Sequence, residues 1–152
     1  MTIKQFLFLL LVSIHCTVTA EEPAQNRWYT QAQVAQGAPL YTEFCAECHG
    51  PKAASTHEWR KQDAEGYYPP PPLNGTAHTW HHPLSLLRRT IREGGAKFGG
   101  KMPPFAEKLN ATEVDAIIAW FQSLWPDKIY TTWSRRSMSA VPQPDFMKKR
   151  PK

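Results

Sequence analysis

Cysteine is scarce in this chain, with 3 among 152 residues, which excludes the multi-disulfide framework that staples many small exported domains. The length excludes a large multidomain enzyme and fits one small domain. No internal repeat is visible, so repeat architectures are excluded. Charge is low at 20%, glycine numbers 8 against 14 prolines, and mean hydropathy is −0.50. A loop-rich fold with a thin polypeptide core follows, and such folds usually need a staple.

Long apolar runs are also missing. The uncharged stretch at the N terminus covers 16 residues and contains Ser13, His15, Thr17 and Thr19, short of the ~20 apolar residues that span a bilayer. It reads as a secretory leader: Lys4 is the positive start, Phe6 to Ile14 the apolar run, and Val18-Thr19-Ala20 the small-residue site, with cleavage predicted after Ala20. Cys16 leaves with the leader, because Ile14-His15 before it is the wrong context for a lipoprotein. The mature chain is then expected in the periplasm.

Charge of one sign is concentrated at the C-terminal end. Residues 21–127 hold 10 Lys and Arg against 12 Asp and Glu, a net of −2, whereas 128–152 hold 7 against Asp145 alone, a net of +6. An exported body without organised basic residues is not a nucleic-acid binder. The segment 138–152 is expected to be a disordered, solvated basic tail.

What remains in the mature chain is a pair of cysteines three positions apart. A disulfide closing so short a loop stabilises almost nothing, since the effect grows with loop length. Cys45-Ala46-Glu47-Cys48-His49 is C-x-x-C-H, the pattern of covalent c-type haem attachment. Two thiols one helical turn apart can add to the two vinyl groups of haem, and the histidine after the second lies beneath the iron as proximal ligand. A thioredoxin-like pair would follow a strand, whereas the residues before Cys45 read as helix. A structural zinc site would need a second ligand pair at finger-like spacing.

The flanks resemble those of class I c-type cytochromes of the bacterial monohaem kind. Gly37, Tyr41 and Cys45 repeat in the register of that family's first helix, one stripe at i, i+4 and i+8 in which the aromatic packs beside the haem. Pro39 departs from the pattern, and a start near Gly37 would place it in the first turn. Lys101-Met102-Pro103-Pro104-Phe105 resembles the family's Met-Pro turn, with Gly94, Gly95, Gly99 and Gly100 building the loop. The resemblance implies Met102 as distal ligand, in preference to Met138 and Met147 in the basic tail. Pro71-Pro72-Leu73-Asn74-Gly75 resembles the family's P-x-L-x-G segment. That likeness implies that the Pro71 carbonyl accepts the ring N–H of His49 and that Leu73 faces the haem. Pro72 takes the acceptor role if the turn slips by one residue.

A helix over Thr112–Trp125 is expected, with Thr112 as N-cap and Val114, Ile117, Ile118, Phe121 and Leu124 at helical spacing. By resemblance, its Ile117 and Trp120 cross the first helix at Gly37 and Tyr41. Pro83 to Arg92 adds a helix with Leu84, Leu87 and Ile91 on one face. A further helix after Pro126 would turn Ile129, Trp133 and Arg136 to one side.

The likeness covers Gly37 to Trp125 and implies an all-α domain over 21–137, with helices packed around one covalent haem c. It further implies a monomeric one-electron carrier, not an enzyme. Its partners would be redox proteins such as a dehydrogenase, a membrane cytochrome complex or a terminal oxidase. One rival is a cytochrome subunit or haem enzyme working with a periplasmic dehydrogenase. Against the enzyme, there is one haem motif where bacterial peroxidases of this family have two. The other rival is a copper or zinc module built from His78, His81 and His82, with His57 as a further ligand. Imidazole suits both metals, but Pro83 disfavours helix at His82.

Overall fold

The computed structural model describes residues 27–137. The leader with Cys16 and its cleavage site, and the tail with Met138 and Met147, lie outside those residues. Among the described residues are five α-helices and no strand: α1 (Gln31–Phe44), α2 (Ala46–His49), α3 (Leu84–Glu93), α4 (Ala111–Ser123) and α5 (Asp127–Ser137). Single 3₁₀ turns lie at His78–His81 and Ala96–Phe98.

The first helix begins at Gln31, six residues before the expected start at Gly37, because Thr30 and Gln33 form a capping box. The Gln33 N–H donates to Thr30 Oγ1 at 3.2 Å, and the Thr30 N–H donates to Gln33 Oε1 at 2.9 Å, satisfying two amides that the helix cannot pair internally. Pro39 therefore lies inside α1, where it removes one backbone donor. Packing offsets that loss. A Cβ on Gly37 would stand 1.9 Å from the Ala116 carbonyl oxygen and 2.9 Å from Trp120 Cβ, so α1 and α4 cross with their backbones in near contact. One turn further on, the rings of Tyr41 and Trp120 lie 4.1 Å apart at 30°.

The crossing partner of Gly37 is thus Ala116 with Trp120, one position from the expected Ile117. The helix α4 starts after Asn110, two residues before the expected cap at Thr112. Asn110 Oδ1 accepts from the Glu113 N–H at 3.0 Å, and the Glu113 carboxylate accepts from the Asn110 N–H at 2.8 Å. Asn caps better than Thr, and only this start places Glu113 at the third helical position. Val114, Ala116, Ile117, Ile118, Ala119, Phe121 and Gln122 are all buried, because α4 packs against both α1 and α3. Leu124, expected inside, is 40% exposed beyond the end of the helix.

The α3 stripe of Leu84, Leu87 and Ile91 is buried as a unit. Arg88 joins α3 to α4 by a two-pronged pair with Asp115 at 2.7 and 2.8 Å. The last helix is rotated by one residue from the expected face, burying Tyr130, Trp133 and Ser137 and leaving Arg136 exposed. The N-terminal strap causes this. Tyr130 Oη accepts the Trp28 N–H at 2.8 Å, and the Arg27 guanidinium sits 4.1 Å from the Tyr130 ring centroid.

Replacing Gly37 with alanine should force α1 and α4 apart. Overpacking of this kind costs about 1–3 kcal/mol, so Gly37→Ala is expected to melt several degrees lower in a thermal scan. An unchanged melting temperature would show that the crossing is loose.

Candidate haem site

The site is built at the C-terminal end of α1. Cys45 occupies the junction between α1 and α2, and the His49 N–H donates to its carbonyl at 2.9 Å. One turn of helix therefore carries Cys45, Cys48 and His49. Both thiols are unpaired; Cys45 is buried and Cys48 exposed. Burial, with Cys48 nearby as a smaller cause, pushes the Cys45 thiol up to about 11, so it is neutral at neutral pH.

His49 is buried, and its Nδ1 lies 2.8 Å from the Pro71 carbonyl oxygen. A carbonyl only accepts, so the proton is assigned to Nδ1 and the lone pair to Nε2. Burial holds the His49 pKa below its ordinary value, with the Pro71 carbonyl pulling weakly the other way. The outcome is a neutral imidazole with a fixed tautomer, the form that binds metals.

Tyr41, Cys45, Leu73 and Met102 belong to one contiguous apolar cluster, with Leu73 and Met102 half-buried on its edge. Tyr41 Oη donates to the Gly50 carbonyl at 2.8 Å, tying α1 to the turn after His49. The Met102 loop closes on glycines: the Gly95 N–H donates to the Met102 carbonyl at 2.9 Å, and a Cβ on Gly94 would meet that same oxygen at 2.7 Å. Gly94 has φ +81° and ψ 179°, a region open essentially to glycine alone. Beyond the loop, the Phe105 N–H returns to Ile91 at 3.1 Å.

This donor set fits haem c. Two unpaired thiols are available for the vinyl groups, the Nε2 of His49 is left with its lone pair, and a thioether stands in the same cluster.

His78, His81 and His82 do not converge. The His78 ring stacks on Trp59 at 4.9 Å and 5°, His82 meets His78 edge-on at 5.2 Å, and His81 packs on Trp80 at 4.0 Å. Burial, and then the charge of the neighbouring rings, holds His78 and His82 below the ordinary histidine pKa. Among the described residues no three His, Cys, Asp or Glu side chains form a metal cage.

Sequence reasoning missed three residues around the proximal turn. Thr79 Oγ1 donates to the Pro72 carbonyl at 2.9 Å, Trp125 Nε1 to the Leu73 carbonyl at 2.6 Å, and Ser55 Oγ to the Pro70 carbonyl. The one available signal was the run Pro69–Pro72. It has carbonyls but no N–H groups, and so must draw donors from elsewhere.

An all-helical domain with its C-x-x-C-H turn and an oriented histidine is a c-type cytochrome. More particularly, residues 32–121 match the family described as cytochrome c oxidase, cbb3-type, subunit III, and the chain belongs to that family, whose members carry covalently bound haem c. It is 29% identical over 112 residues to the cbb3-type cytochrome c oxidase subunit FixP of Sinorhizobium medicae (strain WSM419), covering 70% of this chain and 35% of that protein. The chain thus spans about a third of the length of this curated relative. No solved structure matches it.

The Gly94 contact is testable without haem chemistry. Forcing a side chain into this backbone region costs about 1–3 kcal/mol, so Gly94→Ala should lower the melting temperature and speed hydrogen exchange at the Gly95 amide. Unchanged protection there would show that the loop does not close on Gly94.

Proposed function

We propose that this electron-transfer protein is a periplasmic one-electron carrier with one haem c. Cys45 and Cys48 hold the macrocycle by thioether bonds, and His49 and Met102 hold the iron. The observation that carries the reading is the His49 Nδ1 bond to Pro71 on the same turn as two unpaired thiols. When bound, haem supplies a one-electron ferric/ferrous couple. The chain's own residues do the rest. His49 presents Nε2, Pro71 fixes its ring plane and strengthens its donation, and the soft sulfur of Met102 favours the ferrous state and raises the potential. Leu73 and Phe105, half-buried in the same cluster, keep water from the pocket.

The partners are redox proteins that bind weakly and leave quickly, among them a dehydrogenase, a membrane cytochrome complex or a terminal oxidase. The relative named as an oxidase subunit favours the terminal oxidase. No helix among the described residues is long and apolar enough to cross a membrane, and the leader reading at 1–20 supports export. Co-purification with a membrane oxidase would favour a resident subunit over a diffusing carrier.

The experiment that tests the reading is acid-acetone extraction followed by intact mass. The polypeptide should retain haem and weigh one haem more than the mature chain. Haem that extracts into the solvent would sink the thioether assignment.

The ligand assignment has its own test. Met102→Ala should lower the midpoint potential and let carbon monoxide and cyanide bind rapidly. A variant with wild-type potential and closed iron would place the distal ligand elsewhere.

A further inference from the structure

The segment Pro69–Pro72 cannot anchor itself. Proline has no N–H, so a run of four leaves carbonyls that must find donors outside the segment. Four consecutive carbonyls are met one by one from four separate places. Pro70 is met by Ser55 Oγ, Pro71 by His49 Nδ1 at 2.8 Å, Pro72 by Thr79 Oγ1 at 2.9 Å and Leu73 by Trp125 Nε1 at 2.6 Å. The backbone of the same stretch is held as well, with the Leu73 N–H donating to the Ala53 carbonyl at 2.7 Å.

Two of these supports carry backbone strain. Ala53 and Ser55 have φ of +54° and +47°, left-handed values that non-glycine residues keep only where the surroundings impose them. The turn after His49 is bent this way, its Ser55 N–H bonded back to the His49 carbonyl at 2.9 Å. That bend carries the Ala53 carbonyl and the Ser55 hydroxyl to the proline segment. Thr79 is buried, at 4% exposure, and Trp125 at 2%. Trp125 lies beyond residue 121, where the family match ends.

We propose that Ser55, Thr79 and Trp125 are positioning residues that fix the register of residues 70–73, so that Pro71 and not Pro72 receives the His49 N–H. This sets the donor strength of His49 and rests on the reading of His49 as iron ligand. The competition is local: Pro71 and Pro72 each offer a carbonyl in the same turn, and Thr79 occupies that of Pro72. Without it, the His49 proton has two acceptors and a looser bond to either. A weaker bond at Nδ1 leaves less electron density at Nε2, which stabilises ferric iron less. Loss of register therefore raises the midpoint potential.

The test is spectroelectrochemical titration of the full holoprotein beside its melting curve. Thr79→Val, which keeps the shape and removes the hydroxyl, and Trp125→Phe should both raise the midpoint potential. Thr79→Ser should restore the wild-type value. Asn110→Ala is the structural control: Asn110 caps α4 by accepting from the Glu113 N–H at 3.0 Å, outside the segment, so its loss should lower the melting temperature and leave the potential alone. Should a core variant fail to fold, Ser55→Ala at a half-buried position reads the same potential shift. Thr79→Val and Trp125→Phe that melt early yet keep the wild-type potential would overturn the proposal and leave these residues merely structural. A wild-type spectrum without low-spin, imidazole-ligated iron would instead overturn the ligand reading beneath it.

Discussion

The hydrogen bond between His49 Nδ1 and the Pro71 carbonyl is the contact to which the rest of the site is arranged. It spans 22 residues of chain and selects one tautomer of a buried ring. Its net worth to stability is about 1 kcal/mol, small beside the packing of the helices. Its importance is geometric: it leaves Nε2 as the sole free nitrogen and fixes the plane in which that lone pair points. The carbonyls on either side of Pro71 are each taken by another donor, Ser55 Oγ at Pro70 and Thr79 Oγ1 at Pro72.

Helix packing brings the two ends of that bond together. Close approach of α1 and α4 at Gly37 and Ala116 fixes where α1 ends, and its end is Cys45. Tyr41 bridges from the crossing to Gly50, so the turn carrying His49 is referenced to the α1–α4 scaffold. Trp125, just past α4, references the proline segment to the same scaffold from the other side. The described residues, with two unpaired thiols and many prolines, have no covalent staple of their own, and covalent haem supplies that missing constraint together with apolar surface for the core.

Much of this was legible because some residues admit few alternatives. C-x-x-C-H, the glycine-aromatic stripe of α1 and the α3 stripe of Leu84, Leu87 and Ile91 are short-range patterns, and the fold uses them as written. The helix starts were misread where two local signals competed. Both Asn110 and Thr112 can cap a helix, and the choice was made by Glu113, whose carboxylate reaches back to Asn110. Pro39 suggested a late start for α1, yet the Thr30–Gln33 box began it two turns earlier. The α5 face was set by Arg27 and Trp28, about 100 residues away in sequence, which no periodicity can reveal. The histidines near residue 80 had metal-like spacing, but their rings were already committed to Trp59 and Trp80. The hydroxyls of Ser55 and Thr79 were silent for the same reason as Trp125: only the folded chain shows which carbonyls they reach.

His49 enters its role with Nδ1 protonated and bonded to one specific carbonyl. Nitrogen-15 NMR of the reduced, diamagnetic holoprotein, labelled at histidine nitrogen and at the carbonyl carbons of proline, reads that bond. A slowly exchanging proton on His49 Nδ1, a metal-shifted Nε2, and scalar coupling across the hydrogen bond to Pro71 alone are expected. A proton on Nε2, rapid exchange at Nδ1, or coupling to the Pro72 carbonyl would contradict that assignment.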